Sequence, residues 1–435
     1  MLFLFVYAVT SKITYGIGVD CGSTGSRVYL YQWDDDAKWP EVKPFSDSSK
    51  AVIKCSLKLA DAAQFDETIP QLVQYIKDHI YAILKLDDIK RAKFTLYATA
   101  GMRLLDQKTQ NDIIKRTIHV LRKETDFNFP DSNIRVISGQ DEAYFAWISV
   151  NNLYSKFTDD VAVGITELGG ASFQIAQQTD ERDNSENYRT FKYNGKRHYV
   201  FVYSFLGFGV VEFYKQVAKS FIKKEKEKTD FPCLNTGYLY YLDSTPLYGQ
   251  SDFDKCTTAV RNILLPEIQK AKIPPRSQGT KTFFGLGGIT SYAQFANLSD
   301  HSTPSEFLDS VKHICSMTKE EMEEIASQDS FKYYYCLNGI LQYNSFTDGF
   351  GIGNDPTIIR TELINGVNTS WTMGAILDVI ANPPTSKTVI WIVVSVVSVL
   401  LIIIIIILVI CLLKRKKSKK DESDMLNSQA LLGAY

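Results

Sequence analysis

What the sequence lacks narrows its reading before any motif does. Its 48 Lys and Arg nearly balance 49 Asp and Glu, for a formal net charge of −1. The one dense basic run lies near the C-terminus, so the body of the chain lacks the positive field that nucleic-acid binding requires. None of the seven cysteines stands in a CxxC pair, which excludes the usual spacing of a thiolate zinc site. No short-period repeat is visible, so the chain is not an array of stacked units. What is abundant carries the opposite message. With 45% hydrophobic residues, 12% aromatics and 24 tyrosines, the 435 residues exclude a disordered chain and allow two or three domains with sizeable cores.

The stretch from Ile17 to Tyr31 reads as strand, tight loop, strand. Gly22 and Gly25 let the main chain approach oxygen atoms, the hydroxyls of Ser23 and Thr24 donate further hydrogen bonds, and Asp20 at the strand end can hold a cation against phosphate charge. A loop of this composition is more often a plain turn. A second copy of the same grammar, 147 residues downstream, changes that balance: Glu167 is followed by Leu168-Gly169-Gly170-Ala171-Ser172 between two apolar runs. Two such loops, each opening a lobe, imply a duplicated fold gripping one polyphosphate from both sides. This plan resembles that of the actin, hexokinase and Hsp70 superfamily.

The ends suggest an exported chain. Residues 388–413 are 26 residues without a charge, spanning about 39 Å as a helix, which predicts a C-terminal transmembrane helix. The basic run Lys414 to Lys420 behind it predicts a cytoplasmic tail over 414–435. Residues 1–12 are read as a short signal peptide. Spacings of 23 and 21 residues single out Cys233–Cys256 and Cys315–Cys336 as candidate disulfides, other connectivities staying open. Asn297-Leu298-Ser299 and Asn368-Thr369-Ser370 are glycosylation sequons.

Between the two loops, apolar residues at helical spacing predict helices over residues 65–84 and 109–123, and Phe94 to Ala98 predicts a strand entering a small-residue turn. Strand Ile134 to Ile137 ends in Ser138-Gly139, which can open a helix whose first turn holds Asp141 and Glu142, favoured there by the helix dipole. Residues 180–194 read as a polar loop, and residues 371–381 as a last amphipathic helix.

Taken together, five blocks in this order resemble the ecto-nucleoside triphosphate diphosphohydrolase (apyrase) family. They are Asp20 to Arg27, Ala98 to Leu105, Glu142 to Asn151, Glu167 to Gln174 and, more weakly, Ser370 to Gly374; the resemblance covers roughly residues 16–382. It implies an α/β fold of two RNase H-like lobes with a nucleotide cleft between them, a first lobe over 13–160 and a second over 161–370, with the closing helix returning to the first. By the same resemblance Glu142 is the general base, and Ser172 and Gln174 position the attacking water. Ser23, Thr24, Gly25, Thr99, Gly170, Ala171 and Ser172 line the phosphates, and Asp20 and Glu167 hold Ca2+ or Mg2+ largely through its waters. This sequence departs from the family's pattern in carrying Glu167 for Asp, Phe173 for Thr and Ala143 for Gly. Tyr292 and Phe295 are candidates to stack on the base.

The expectation is a membrane-anchored, metal-dependent hydrolase of extracellular or lumenal nucleoside tri- and/or diphosphates, with no nucleic-acid partner and with homo-oligomerisation left open. Two alternatives stand beside it: a kinase of the same superfamily, and a surface glycoprotein with a decayed site that only binds.

Overall fold

The computed structural model describes residues 13–35, 40–154, 157, 162–193, 195–353, 355, 357–381, 398 and 400–412. These fall into two units divided after Ala381. In the first unit, β-branched and aromatic runs build two mixed sheets. One comprises β1 (Ile13–Gly22), β2 (Gly25–Asp34), β3 (Lys43–Pro44), β4 (Val52–Cys55), β5 (Lys93–Ala98) and β6 (Ile134–Val136). Its order is β3-β2-β1-β5-β6, with β4 also on β2; β1 pairs antiparallel with β2 and parallel with β5. Ile17, Val19, Leu30, Phe94 and Leu96 are buried from water against Ile69, Leu72 and Ile76 of the helix Thr68–Tyr81 and Ile113 of the helix Gln107–Glu124. That apolar burial is the main force holding the layer together.

The second sheet repeats the scheme. It contains β7 (Gly164–Leu168), β8 (Ser172–Gln178), β9 (Tyr188–Tyr193) and β10 (Lys196–Leu206). A small sheet of β11 (Thr229–Phe231), β12 (Leu239–Leu242) and β13 (Thr245–Gly249) intervenes before β14 (Thr282–Gly287) and β15 (Thr357–Ile359) complete it in the order β15-β14-β7-β8-β10-β9. Here β7 pairs antiparallel with β8 and parallel with β14, as β1 does with β2 and β5. The hairpin β16 (Leu363–Ile364) and β17 (Val367–Asn368) follows. The polar stretch read as a loop over 180–194 contributes β9, because Tyr188 and Phe191 find partners on β10 and Phe191 is fully buried.

Between the sheets lies a core built from two helices, Gly139–Tyr154 and Trp371–Ala381, with side chains from both sheets, among them Tyr97, Trp33, Ile165 and Val200. Of the 16 residues of Gly139–Tyr154, 13 are buried. Residues 371–377 are buried all round rather than on one face, so the closing helix is a central element and not an amphipathic surface one. Its Thr372 hydroxyl lies 2.7 Å from that of Tyr31 on β2.

The expected transmembrane helix is not supported. Among the described residues no helix is long and apolar enough to cross a membrane. The helix over residues 400–412 is apolar and exposed, but its 13 residues rise only about 20 Å, short of a hydrocarbon core of about 30 Å. The rest of 388–413 apart from residue 398, the signal at 1–12, the tail at 414–435 and the lobe junction near 160 lie outside the described residues. Both candidate disulfides form, with Cα–Cα distances of 5.0 Å for Cys233–Cys256 and 4.6 Å for Cys315–Cys336. The second ties the helix Pro304–Ser316 to the first turn of the helix Tyr335–Asn344.

Candidate active site

A cleft of about 960 Å³ opens between the two sheets, and both glycine loops line it. In the first, Gly22 pairs with Gly25 across a two-residue tip, Ser23-Thr24. Gly25 has φ +146°, and a Cβ there would stand 2.5 Å from the Cys55 carbonyl oxygen, so the motif's own glycine lets β4 close on the loop. In the second, Gly169 N–H donates to the Ser172 carbonyl (2.9 Å) around the tip Gly170-Ala171. Its carbonyls are held from outside: Val210 N–H donates to Gly169 O, Val211 N–H to Gly170 O and Gly207 N–H to Ala171 O. The two tips meet across the cleft, Ser23 Oγ lying 2.7 Å from where a Gly170 Cβ would be.

Glu142 sits in the first turn of the helix Gly139–Tyr154, opened as expected by Ser138, whose hydroxyl accepts from Asp141 N–H (3.0 Å). Its carboxylate is drawn into a network spanning both sheets. Arg103 Nη2 donates to Glu142 Oε2 (2.9 Å) and to Ser172 Oγ (3.2 Å), while Arg103 Nη1 donates to the Ile137 carbonyl (3.1 Å). Gln174 Nε2 approaches Ser172 Oγ (2.5 Å), Ser204 Oγ (3.2 Å) and the same Glu142 Oε2 (3.3 Å). Both side-chain bonds to the carboxylate therefore fall on Oε2, and Oε1 remains as the oxygen that can face the cleft. Asp141, its neighbour, points elsewhere, paired with Arg135 (3.2 Å) and Arg189 (3.1 Å).

Asp20 and Glu167 occupy matching positions in the two hairpins, Asp20 opposite Arg27 and Glu167 opposite Gln174. Burial pushes the Asp20 carboxyl up to about 7; Arg27 pulls against this from 3.4 Å, and the Glu142 charge adds to the rise. Burial and then the charges of Glu142 and Asp20 push Glu167 well above the usual carboxylate range, with Arg27 opposing. Asp20 Oδ1 and Glu167 Oε2 are buried with no hydrogen-bond partner. Orphaned acceptors in a site crowded with like charge fit a divalent cation, which would satisfy both oxygens at once. No group of three or more His, Cys, Asp or Glu assembles as a cage among the described residues; two carboxylates completed by water suit a hard cation that keeps part of its hydration.

Each site residue named from sequence except Gln174 lines the cleft: Asp20, Ser23, Thr24, Gly25, Thr99, Glu142, Glu167, Gly170, Ala171 and Ser172. Gln174, 1% exposed, lies behind it. Thr99 precedes the short helix Ala100–Arg103 without capping it, so its hydroxyl stays available to the cleft. The aromatic candidates are corrected. Tyr292 is fully buried, Phe295 stacks on Tyr335 at 3.8 Å, and the aromatic residues that line the cleft are Tyr29 and Trp371 together with a wall of Phe331, Tyr334 and Tyr335. Sequence reading also missed Arg103, Arg27 and Ser204. A charged residue closing the small-residue turn Ala98 to Met102 was the available signal for Arg103; nothing local marked Ser204.

Comparison with known proteins agrees with this geometry. The model of the GDA1/CD39 (nucleoside phosphatase) family matches residues 6–391. "Probable apyrase 5" of Arabidopsis thaliana is 26% identical over 414 residues, covering 84% of this chain and 82% of its own. "Golgi apyrase" of Schizosaccharomyces pombe is 26% identical over 427 residues, covering 83% and 74%, and "Ectonucleoside triphosphate diphosphohydrolase 5" of Gallus gallus is 24% identical over 393 residues, covering 84% and 87%. Among solved structures, nucleoside triphosphate hydrolases from Neospora caninum superpose with a TM-score of 0.59 at 13% identity, covering 85% of this chain and 92% of that one, which shows a shared two-lobe fold.

Proposed function

This chain belongs to the GDA1/CD39 (nucleoside phosphatase) family and is a nucleoside triphosphate diphosphohydrolase, and from the cleft we propose how its residues divide the work. The terminal phosphate sits between the loop tips, where backbone N–H groups and the hydroxyls of Ser23, Thr24 and Thr99 face its oxygens and stabilise charge spreading over them during transfer. Ser172 holds the attacking water, and Gln174, behind the cleft, positions it by fixing Ser172 Oγ and Glu142 Oε2. Ser172 Oγ accepts from both Arg103 and Gln174, so its own proton is free to point at that water; among the described residues its side-chain hydrogen bonds are to these two donors and none is to a base. Glu142 takes the water's proton on Oε1, its other oxygen being pinned.

Asp20 and Glu167 would hold Ca2+ or Mg2+, which supplies positive charge to the phosphate oxygens. A cleft lined, among the described residues, by five carboxylates and two cations, Arg27 and Lys54, is poorly suited to a bare polyphosphate, which supports uptake of the substrate as its metal complex. Two disulfides and the exposed sequon at Asn297 suit a secretory lumen or the cell exterior.

The observation that carries this reading is the convergence on one oxygen of Glu142 of Arg103, from the helix Ala100–Arg103, and Gln174, from β8. The test is release of inorganic phosphate by the full chain from a panel of nucleoside tri- and diphosphates. Hydrolysis that EDTA abolishes and Ca2+ or Mg2+ restores is expected. No phosphate from any nucleotide with either cation would sink the reading; full activity in EDTA would sink the metal.

A further inference from the structure

The register of the first sheet sets three charged residues in one cross-strand row: Asp20 on β1 opposite Arg27 on β2, and Arg27 opposite Lys54 on β4. Directly opposed residues share a face of the sheet, and all three line the cleft. Like charges in this arrangement repel, so Arg27 beside Lys54 costs stability unless an anion lies over them. Asp20 offsets only part of this, through one 3.4 Å contact with an Arg27 side chain that remains 33% exposed. Lys54 is exposed, no carboxylate among the described residues pairs with it, and its strand is held in place by Tyr75 Oη donating to the Lys54 carbonyl (2.9 Å). Among the described residues these are the only two cations lining the cleft, and they stand in line with Asp20, beside the loop that faces the transferred phosphate.

Resting on the reading above, we propose that Arg27 and Lys54 form a rail for the phosphates that are not transferred, and that Lys54 makes the enzyme favour nucleoside triphosphates over diphosphates. Two strand spacings separate Asp20 from Lys54, about 10 Å. A diphosphate has one phosphate beyond the transferred one and is served by Arg27; a triphosphate has a second, and reaches further along the row. Lys54 ends in an ammonium on a flexible stem, suited to following a mobile tail as a point charge, whereas Arg27 is partly fixed by Asp20.

The experiment compares kcat/KM for a triphosphate and its diphosphate in the full chain, together with the affinities of their non-hydrolysable analogues by calorimetry. Lys54→Gln should lower the triphosphate-to-diphosphate ratio about two- to fivefold in both measurements, the usual worth of one exposed charge contact. Lys54→Arg should restore most of it. Lys93→Gln removes the same charge at the other end of the strands, opposite Gly16, and should leave the ratio alone. An unchanged ratio in Lys54→Gln, or an equal fall in Lys93→Gln, overturns the rail. A wild-type chain that hydrolyses no nucleotide overturns the proposed function instead, whatever Lys54 does.

Discussion

The hairpins β1–β2 and β7–β8 are two solutions to one problem. Each ends a buried strand in a carboxylate, turns through two residues and returns antiparallel, and each is flanked by a parallel strand. They differ in what holds the loop and in what faces the acid. The first hairpin is braced from within, since Gly25 belongs to the motif and closes on β4. The second is braced from without: a Cβ on Gly209 would stand 2.3 Å from Ala171 N and 2.5 Å from Ser172 N, so a glycine outside the motif sets the loop's position. Opposite the acids, Arg27 gives Asp20 a counter-charge, while Gln174 gives Glu167 none and turns instead toward Ser172 and Glu142. One hairpin serves charge, the other positions the reaction, and a repeat of backbone does not repeat the chemistry.

The largest expected effect falls on the residue that the second hairpin addresses. Glu142→Gln keeps the shape and one hydrogen-bonding oxygen but removes the proton acceptor, so turnover should fall about 10²–10⁴-fold with little change in nucleotide affinity. Asp141→Asn loses pairs with Arg135 and Arg189 but no contact to the reacting groups, and should cost far less. Phosphate-release kinetics decide it: more than about a tenth of wild-type turnover in Glu142→Gln, a barrier change under about 1.4 kcal/mol, leaves Glu142 a structural acid.

The bracing contrast is next. Gly209→Ala drives a methyl group into main-chain atoms that have no room to shift, and should destabilise by about 3 kcal/mol while lowering turnover through Ser172. Gly22→Ala, whose Cβ would approach Gly25 O at 3.2 Å, should cost visibly less although it lies inside a recognised motif. Equal melting temperatures for the two variants would remove the outside brace.

The smallest effect is electrostatic. In metal-free protein the folded pKa of Asp20 is raised to about 7 from 3.8, so folding favours the protonated carboxyl. That stabilisation is complete below about pH 4 and is lost as pH rises through about 7; Glu167, also raised, acts in the same direction. Thermal melts in EDTA should therefore fall across this window, and a divalent cation should reverse the fall. Arg27 helps Asp20 through an ion pair as well as by charge, but helps Glu167 by charge alone. At pH 7.5 without metal, Glu167→Gln should thus stabilise more than Asp20→Asn, and the reverse order would contradict the difference between the hairpins.

The sequence by itself determined the α/β class, the doubled hairpin and the helix start at Ser138, because strand patterning, a cap and a turn are set within a few residues of chain. It singled out Cys233–Cys256 and Cys315–Cys336 only as candidates, and the fold decided their connectivity by bringing each pair together. It also brought to notice nearly every side chain that lines the phosphate end of the cleft, since such residues must sit on tight local turns. It misjudged residues 388–413 as a membrane span, where the uncharged run was legible but the helix described within it is too short. It misplaced the aromatic wall as well: Phe331, Tyr334 and Tyr335 come to the cleft through the Cys315–Cys336 link and the packing of two helices, not through a local motif. Arg103 reaching Glu142 across 39 positions and Ser172 across 69, and Gly209 bracing a loop some 38 residues before it, were decided by tertiary structure alone. A hydrogen bond or a close approach between distant segments leaves no period in the sequence, because it is fixed by where two sheets come to rest around one buried pair of helices.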